Sequence, residues 1–145
     1  MKLLQHSPYF WNNCLQARVA CELVPMPKRV LIADDSEVVR RAVQISVEER
    51  TGLKVCATTA DGPDTIATAL RLRPDIVILD VSMPAMNGIE VATILKKRLS
   101  SAKIILFTMF AEYVGTKVAQ AAGVDIVLDK PEGLSTLLQS LSSML

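Results

Sequence analysis

Four uninterrupted apolar runs punctuate the chain after residue 28: Val30–Ala33, Ile76–Leu79, Ile104–Phe107 and Ile126–Leu128. Each is too short for a helix and too continuous for a strand with one wet face, so each predicts a strand covered on both sides. Leu53–Thr58 alternates more loosely, as an edge strand does where its open border meets water. Between the runs the period lengthens to that of a helix. Ser36 is placed to cap a first helix whose Val39, Ala42, Val43 and Val47 fall on one face, and Thr51-Gly52 ends it. Gly62-Pro63-Asp64 opens a second helix and Arg73-Pro74 closes it. After the next run, Met83-Pro84 and Asn87-Gly88 make a loop, and Ile89, Ala92 and Leu95 to Leu99 supply the stripe of a third helix. A fourth is expected from roughly Glu112 to Ala122, stopped by Gly123 as a left-handed C′ residue. The fifth strand carries Asp125, Pro131 ends it, and Leu134, Leu137, Leu138, Leu141 and Leu145 line a last helix.

Strand and helix patterns that alternate in this way are the mark of repeated βα units around a parallel sheet. Right-handed crossovers leave few topologies, and the order 2-1-3-4-5 puts the two least continuous runs at the edges of a doubly wound α/β sheet. Residues 1 to 27 read differently, with Tyr9-Phe10-Trp11 clustered beside Pro8 and periodicity only in fragments. They are expected to form an extension outside a domain spanning residues 28–145, and Met26 is the more natural start of the folded unit. The competing reading is a short helix that docks on the domain through Trp11 and Leu15.

Composition narrows the function classes. A chain of 145 residues, half of them hydrophobic, is the size of one ordinary domain with a full core. A net charge of +1 provides no basic field for nucleic acid. The one basic cluster, Lys96-Lys97-Arg98, sits where it offsets a helix dipole. No apolar stretch approaches the roughly 20 residues that cross a bilayer, and the N-terminus lacks a secretory apolar segment, so a cytoplasmic protein is expected. Cys14, Cys21 and Cys56 are odd in number and show no paired spacing, which indicates neither a disulfide framework nor a zinc site.

Five polar residues stand where the runs end: Asp34 and Asp35, Asp80, Thr108 and Lys130. In the order 2-1-3-4-5 they converge on the carboxyl edge of the sheet, beside the switch point between strands 1 and 3. Two ionised carboxylates about 5 Å apart repel by roughly 3 kcal/mol in an effective dielectric near 20. A hard divalent cation answers both the charge and the oxygen ligands, and magnesium binds through one or two carboxylates plus waters and phosphate oxygens. Lys130 adds a fixed positive charge. Such a pocket suits phosphoryl transfer, with Asp80 as the nucleophile that forms an acyl phosphate and Thr108 and Lys130 holding phosphoryl oxygens. Singly, each residue has a plain reading as a helix cap, a loop carboxylate, a strand-end hydroxyl or a solvated charge. Their joint placement at four strand ends favours chemistry.

The segments Ile32-Ala33-Asp34-Asp35-Ser36, Ile78 to Gly88, Leu106-Phe107-Thr108 and Asp129-Lys130-Pro131 resemble the receiver domains of two-component response regulators. The likeness runs from Lys28 to Leu145, and the Asp80 segment is its specific part. It implies a flavodoxin-like (βα)5 domain that takes a phosphoryl group from a sensor histidine kinase or histidine phosphotransfer protein onto Asp80. It further implies magnesium held by Asp35, Asp80 and the backbone carbonyl of Ser82, with Asp34 acting largely through water, and a cis Lys130-Pro131 bond. Phosphorylation would draw Thr108 and Lys130 to the phosphate. That would shift an equilibrium on the face of the fourth helix, fifth strand and last helix, where partners or a second copy bind. Two positions depart from the family pattern. Val127 stands where an aromatic switch residue is common, and bulky Met109 follows the threonine, with Phe110 next to it. Dephosphorylation limited by water entry is therefore expected.

The resulting expectation is a signalling phosphoacceptor, an enzyme only toward its own phosphorylation and dephosphorylation. The chain stops after the fifth helix, so output is expected through a downstream protein, with no direct contact to nucleic acid or membrane. One alternative is the receiver half of a DNA-binding regulator. Another is a phosphatase of the haloacid dehalogenase type, whose motif needs a second Asp where this chain has Ser82. A third is an adaptor that keeps only the fold, against which the complete set of acidic, hydroxyl and lysine residues speaks.

Overall fold

A computed structural model of the chain describes residues 25–145. The expected helix around Trp11, and Cys14 and Cys21, lie outside the described residues. The elements follow one another as β1 (Arg29–Ala33), α1 (Glu37–Arg50), β2 (Lys54–Thr59), α2 (Gly62–Leu72), β3 (Ile76–Leu79), α3 (Gly88–Arg98), β4 (Lys103–Thr108), α4 (Thr116–Ala121), β5 (Ile126–Asp129) and α5 (Leu134–Ser143). Short 3-10 turns cover Ala111–Tyr113 and Lys130–Glu132. All strand pairs are parallel, in the order β2-β1-β3-β4-β5, the doubly wound flavodoxin-like arrangement.

The continuous apolar runs are explained by two cores, one on each face of the sheet. Successive residues of a strand point to opposite faces. Val30 and Ile32 pack with Val43 and Val47 of α1 and with Leu137 and Leu141 of α5, whereas Leu31 and Ala33 pack with Val91 and Leu95 of α3. Leu95 is fully buried, and truncating such a side chain to Ala costs about 2–5 kcal/mol. Caps fix where the helices begin. The Ser36 hydroxyl accepts from the Val39 amide at 3.4 Å, and Asn87 with Glu90 forms a reciprocal capping box on α3. A Cβ on Gly88 would lie 2.1 Å from the Asp80 carbonyl oxygen, so the start of α3 can approach the end of β3 only as glycine.

Several boundaries differ from those read in the sequence. The fourth helix begins at Thr116, not near Glu112, because a glycine interior to a helix costs about 1 kcal/mol and the chain uses Gly115 as an extended N-cap instead. Ala42 is exposed, leaving Val39, Val43 and Val47 as the inward stripe of α1. Leu145 lies beyond α5 and is 63% exposed. β2 is displaced by one residue, to Lys54–Thr59, with a register shift against β1 between Val30 and Leu31. The chain breaks expected at Thr51-Gly52, Arg73-Pro74 and Gly123 all occur, with Gly52 and Gly123 at positive φ.

Candidate functional site

The backbone delivers the acidic side chains as a pair. The Asp80 amide donates to the Ala33 carbonyl at 2.8 Å and the Asp34 amide to the Thr59 carbonyl at 3.1 Å. The ladder thus runs one residue past β1 and β3 and sets Asp34 and Asp80 side by side at their carboxyl ends. Carboxylate oxygens of Asp34, Asp35 and Asp80 lie within 4.8 Å of one another. Lys130, at the end of β5, reaches across with Nζ 2.5 Å from Asp34 Oδ2 and 3.4 Å from Asp80 Oδ2.

The three acids differ in what they have left to offer. Asp34 is buried and spent: Oδ2 meets Lys130, and Oδ1 accepts from the Ser36 amide at 2.8 Å. Asp35 is exposed. Asp80 is buried, and that burial pushes its carboxyl above the ordinary carboxylate range. Lys130 opposes the shift, Asp34 adds to it, and the Thr108 hydroxyl again favours the charged form. Thr108 is fully buried at the end of β4, where its hydroxyl accepts from the Phe110 amide at 3.2 Å. Ser82 stays on the exposed loop two residues after Asp80 and makes no side-chain hydrogen bond among the described residues.

Sequence reasoning thus anticipated the gathering of Asp34, Asp35, Asp80, Thr108 and Lys130. It missed Arg40, whose guanidinium donates to the Asp34 carbonyl at 2.6 Å and braces the loop from one helical turn beyond Ser36. It also missed the turn at Ala85, which sits at φ 66 while the Met86 amide donates back to the Pro84 carbonyl at 2.8 Å. No glycine marks that turn. The expected cis bond before Pro131 is not found: no peptide bond among the described residues is cis, and Pro131 lies in a 3-10 turn. For an X–Pro bond the two isomers differ by only about 0.5–1 kcal/mol, so the trans form needs no special support. Met109 and Phe110 are 57% and 47% exposed, on the surface beside Thr108.

Three carboxylates against one ammonium leave the cleft short of positive charge. Its donors are hard oxygens, one of them on an exposed residue that faces no competing partner among the described side chains. This set fits a small divalent cation that keeps waters in its coordination sphere.

A parallel sheet of order 2-1-3-4-5 with an acidic cleft and a lysine at its carboxyl edge defines a class of signalling domain, and the comparisons place the chain within it. The family model for the response regulator receiver domain matches residues 30–142, and the chain belongs to that family. The response regulator protein VraR of Staphylococcus aureus is 35% identical over 100 residues, which is 69% of this chain and 48% of VraR. The chain therefore spans about half the length of the curated relatives it matches. Response regulator TrrA of Thermotoga maritima, solved in complex with magnesium and a beryllium fluoride, superposes with a TM-score of 0.73 at 29% identity over 81% of this chain and 99% of that one. A DNA-binding response regulator of the LuxR family from Staphylococcus aureus gives a TM-score of 0.73 at 26% identity, covering 80% and 97%. Among the described residues no helix is long and apolar enough to cross a membrane.

Proposed function

We propose that the chain is a phosphoacceptor in a two-component relay, with Asp80 as the residue phosphorylated. The observation that carries this reading is the convergence of Asp34, Asp35 and Asp80 within 4.8 Å, with Lys130 against two of them. An oxygen of Asp80 forms a bond to phosphorus as the phosphorus–nitrogen bond of a donor phosphohistidine breaks, and the imidazole leaves and takes up a proton. Asp80 meets the demand for an oxygen nucleophile, and Lys130 and Thr108 offer donors to the phosphoryl oxygens. Asp35, Asp80 and the Ser82 carbonyl would hold magnesium, with Asp34 through water, and the ion would neutralise charge on the phosphoryl group. TrrA, a structural relative solved with magnesium and a beryllium fluoride, supports that assignment.

The donor is a sensor histidine kinase or a histidine phosphotransfer protein. Output passes to a downstream protein or a second copy through the α4-β5-α5 face, where Val118 is 52% exposed. A second reading, the receiver half of a DNA-binding regulator, is favoured by the greater length of VraR, of which the match covers only 48%, and by the LuxR-family neighbour. Incubation with acetyl phosphate and magnesium is expected to add one phosphoryl group, read as an intact-mass gain. Asp80→Asn or removal of magnesium with EDTA should abolish that gain. Labelling that persists in Asp80→Asn would refute the assignment.

A further inference from the structure

A cleft lies at the opposite end of the sheet from the acidic site, where the strands begin. It has a volume of about 420 Å³, within the range of roughly 300–1,000 Å³ typical of small-molecule sites. Its floor is apolar, with Pro74, Leu99 and Met144, and its rim carries Lys28, Arg73 and Lys103. Asp75 also lines it, but its Oδ2 is committed to the Arg29 amide at 2.8 Å.

Among the described residues the three cations leave donors unused. Lys28 spends one N–H on the Met144 carbonyl and keeps two. Among the described residues Lys103 makes only a loose ion pair, 3.6 Å from Asp125, on a side chain that is 56% exposed. Arg73 has no side-chain hydrogen bond or ion pair among the described residues. Its backbone is held at φ 50 as the C-cap of α2, directly before Pro74, a conformation that favours glycine. A bulky cationic side chain at a position where glycine is easiest raises the question of what the side chain does there. The basic last turns of the neighbouring helices already offset their dipoles, with Arg71 on α2 and Lys96-Lys97-Arg98 on α3, so the rim charge is additional.

We propose that this cleft is a binding site for an organic phosphate, such as a nucleotide, with its phosphates on Arg73, Lys103 and Lys28 and its flat body on Pro74, Leu99 and Met144. A lone carboxylate would leave most of the rim charge unanswered. A phosphate chain presents several oxygens and matches the planar fork of a guanidinium. The site is independent of phosphorylation at Asp80.

The test is an NMR titration of the full chain with ADP in magnesium-free buffer at physiological salt. Saturable amide shifts confined to the surroundings of Arg73, Asp75, Lys103 and Met144 are expected. Adenosine, which lacks the charge-assisted bonds, should bind at least about tenfold more weakly. Arg73→Gly suits the left-handed backbone and keeps the fold, and it should weaken ADP by about tenfold, as should Lys103→Gln. The proposal is overturned if no saturable shift arises at that end, if adenosine binds equally, or if Arg73→Gly binds ADP undiminished.

Discussion

Asp80 and Ala85 show opposite ways in which single residues hold free energy beside the cleft. Burial raises the Asp80 carboxyl, with Asp34 reinforcing the effect and Lys130 and Thr108 resisting it, so its charged form is incompletely compensated. A bound cation would relieve that imbalance, which makes the site responsive to one. At Ala85 the cost is steric. A non-glycine residue at φ 66 in a three-residue turn is strained by about 1–2 kcal/mol, because its Cβ crowds the following carbonyl. Ala85→Gly removes the crowding but adds backbone entropy to the unfolded chain, which returns roughly 0.5–1 kcal/mol of the gain. The expected outcome is net stabilisation of about 0.5–1 kcal/mol, read as a higher urea midpoint with an unchanged slope. Destabilisation would mean that the turn is supported by contacts of the Ala85 methyl.

Between elements, the tie between β4 and β5 is electrostatic as well as apolar. Asp125 accepts from the Ile104 amide at 2.8 Å and pairs with Lys96 at 3.4 Å and Lys103 at 3.6 Å. Partial burial pushes its carboxyl up, but the Ile104 hydrogen bond and the two lysines outweigh this and hold it below the ordinary range. A depressed carboxyl contributes stability above its unfolded pKa and loses it as pH falls through the folded one. Asp125→Asn should therefore cost about 1 kcal/mol at neutral pH, with the gap to wild type closing in acid, as followed by urea unfolding at both pH values. A gap that persists in acid would assign the effect to packing. The sequence showed Asp125 only as an acid amid apolar neighbours, since the Lys96 and Lys103 that meet it come from separate elements. The strands themselves were legible because burial on both faces writes an unbroken apolar run. The start of α4 was not, because near Glu112 helical spacing and a 3-10 turn followed by Gly115 look alike without the tertiary packing.

For the molecule as a whole, the site could be read because each residue lies at or just beyond the end of its strand. A parallel sheet converts five positions scattered from Asp34 to Lys130 into one cleft, so finding the strands also located the candidate site. What the linear pattern concealed were contributions from outside the strands: Arg40 of α1 on the Asp34 carbonyl, the Ala85 turn, and the trans bond at Pro131. The same logic bears on the extent of the folded unit. Among the described residues, the first ties to the body of the domain come from Lys28, on the Met144 carbonyl, and from Arg29, whose amide and guanidinium reach Asp75 and the Leu72 carbonyl. The family match begins at residue 30. A protein starting at Lys28 retains all of these contacts. Deleting residues 1–27 is therefore expected to preserve acetyl phosphate labelling of Asp80 and to move the melting temperature by less than about 4 °C, the shift that roughly 1 kcal/mol produces in a domain of this size. A larger drop, with labelling retained, would point to docking through Trp11 and Leu15. Loss of labelling with an unchanged melting temperature would instead tie the segment to the acidic cleft.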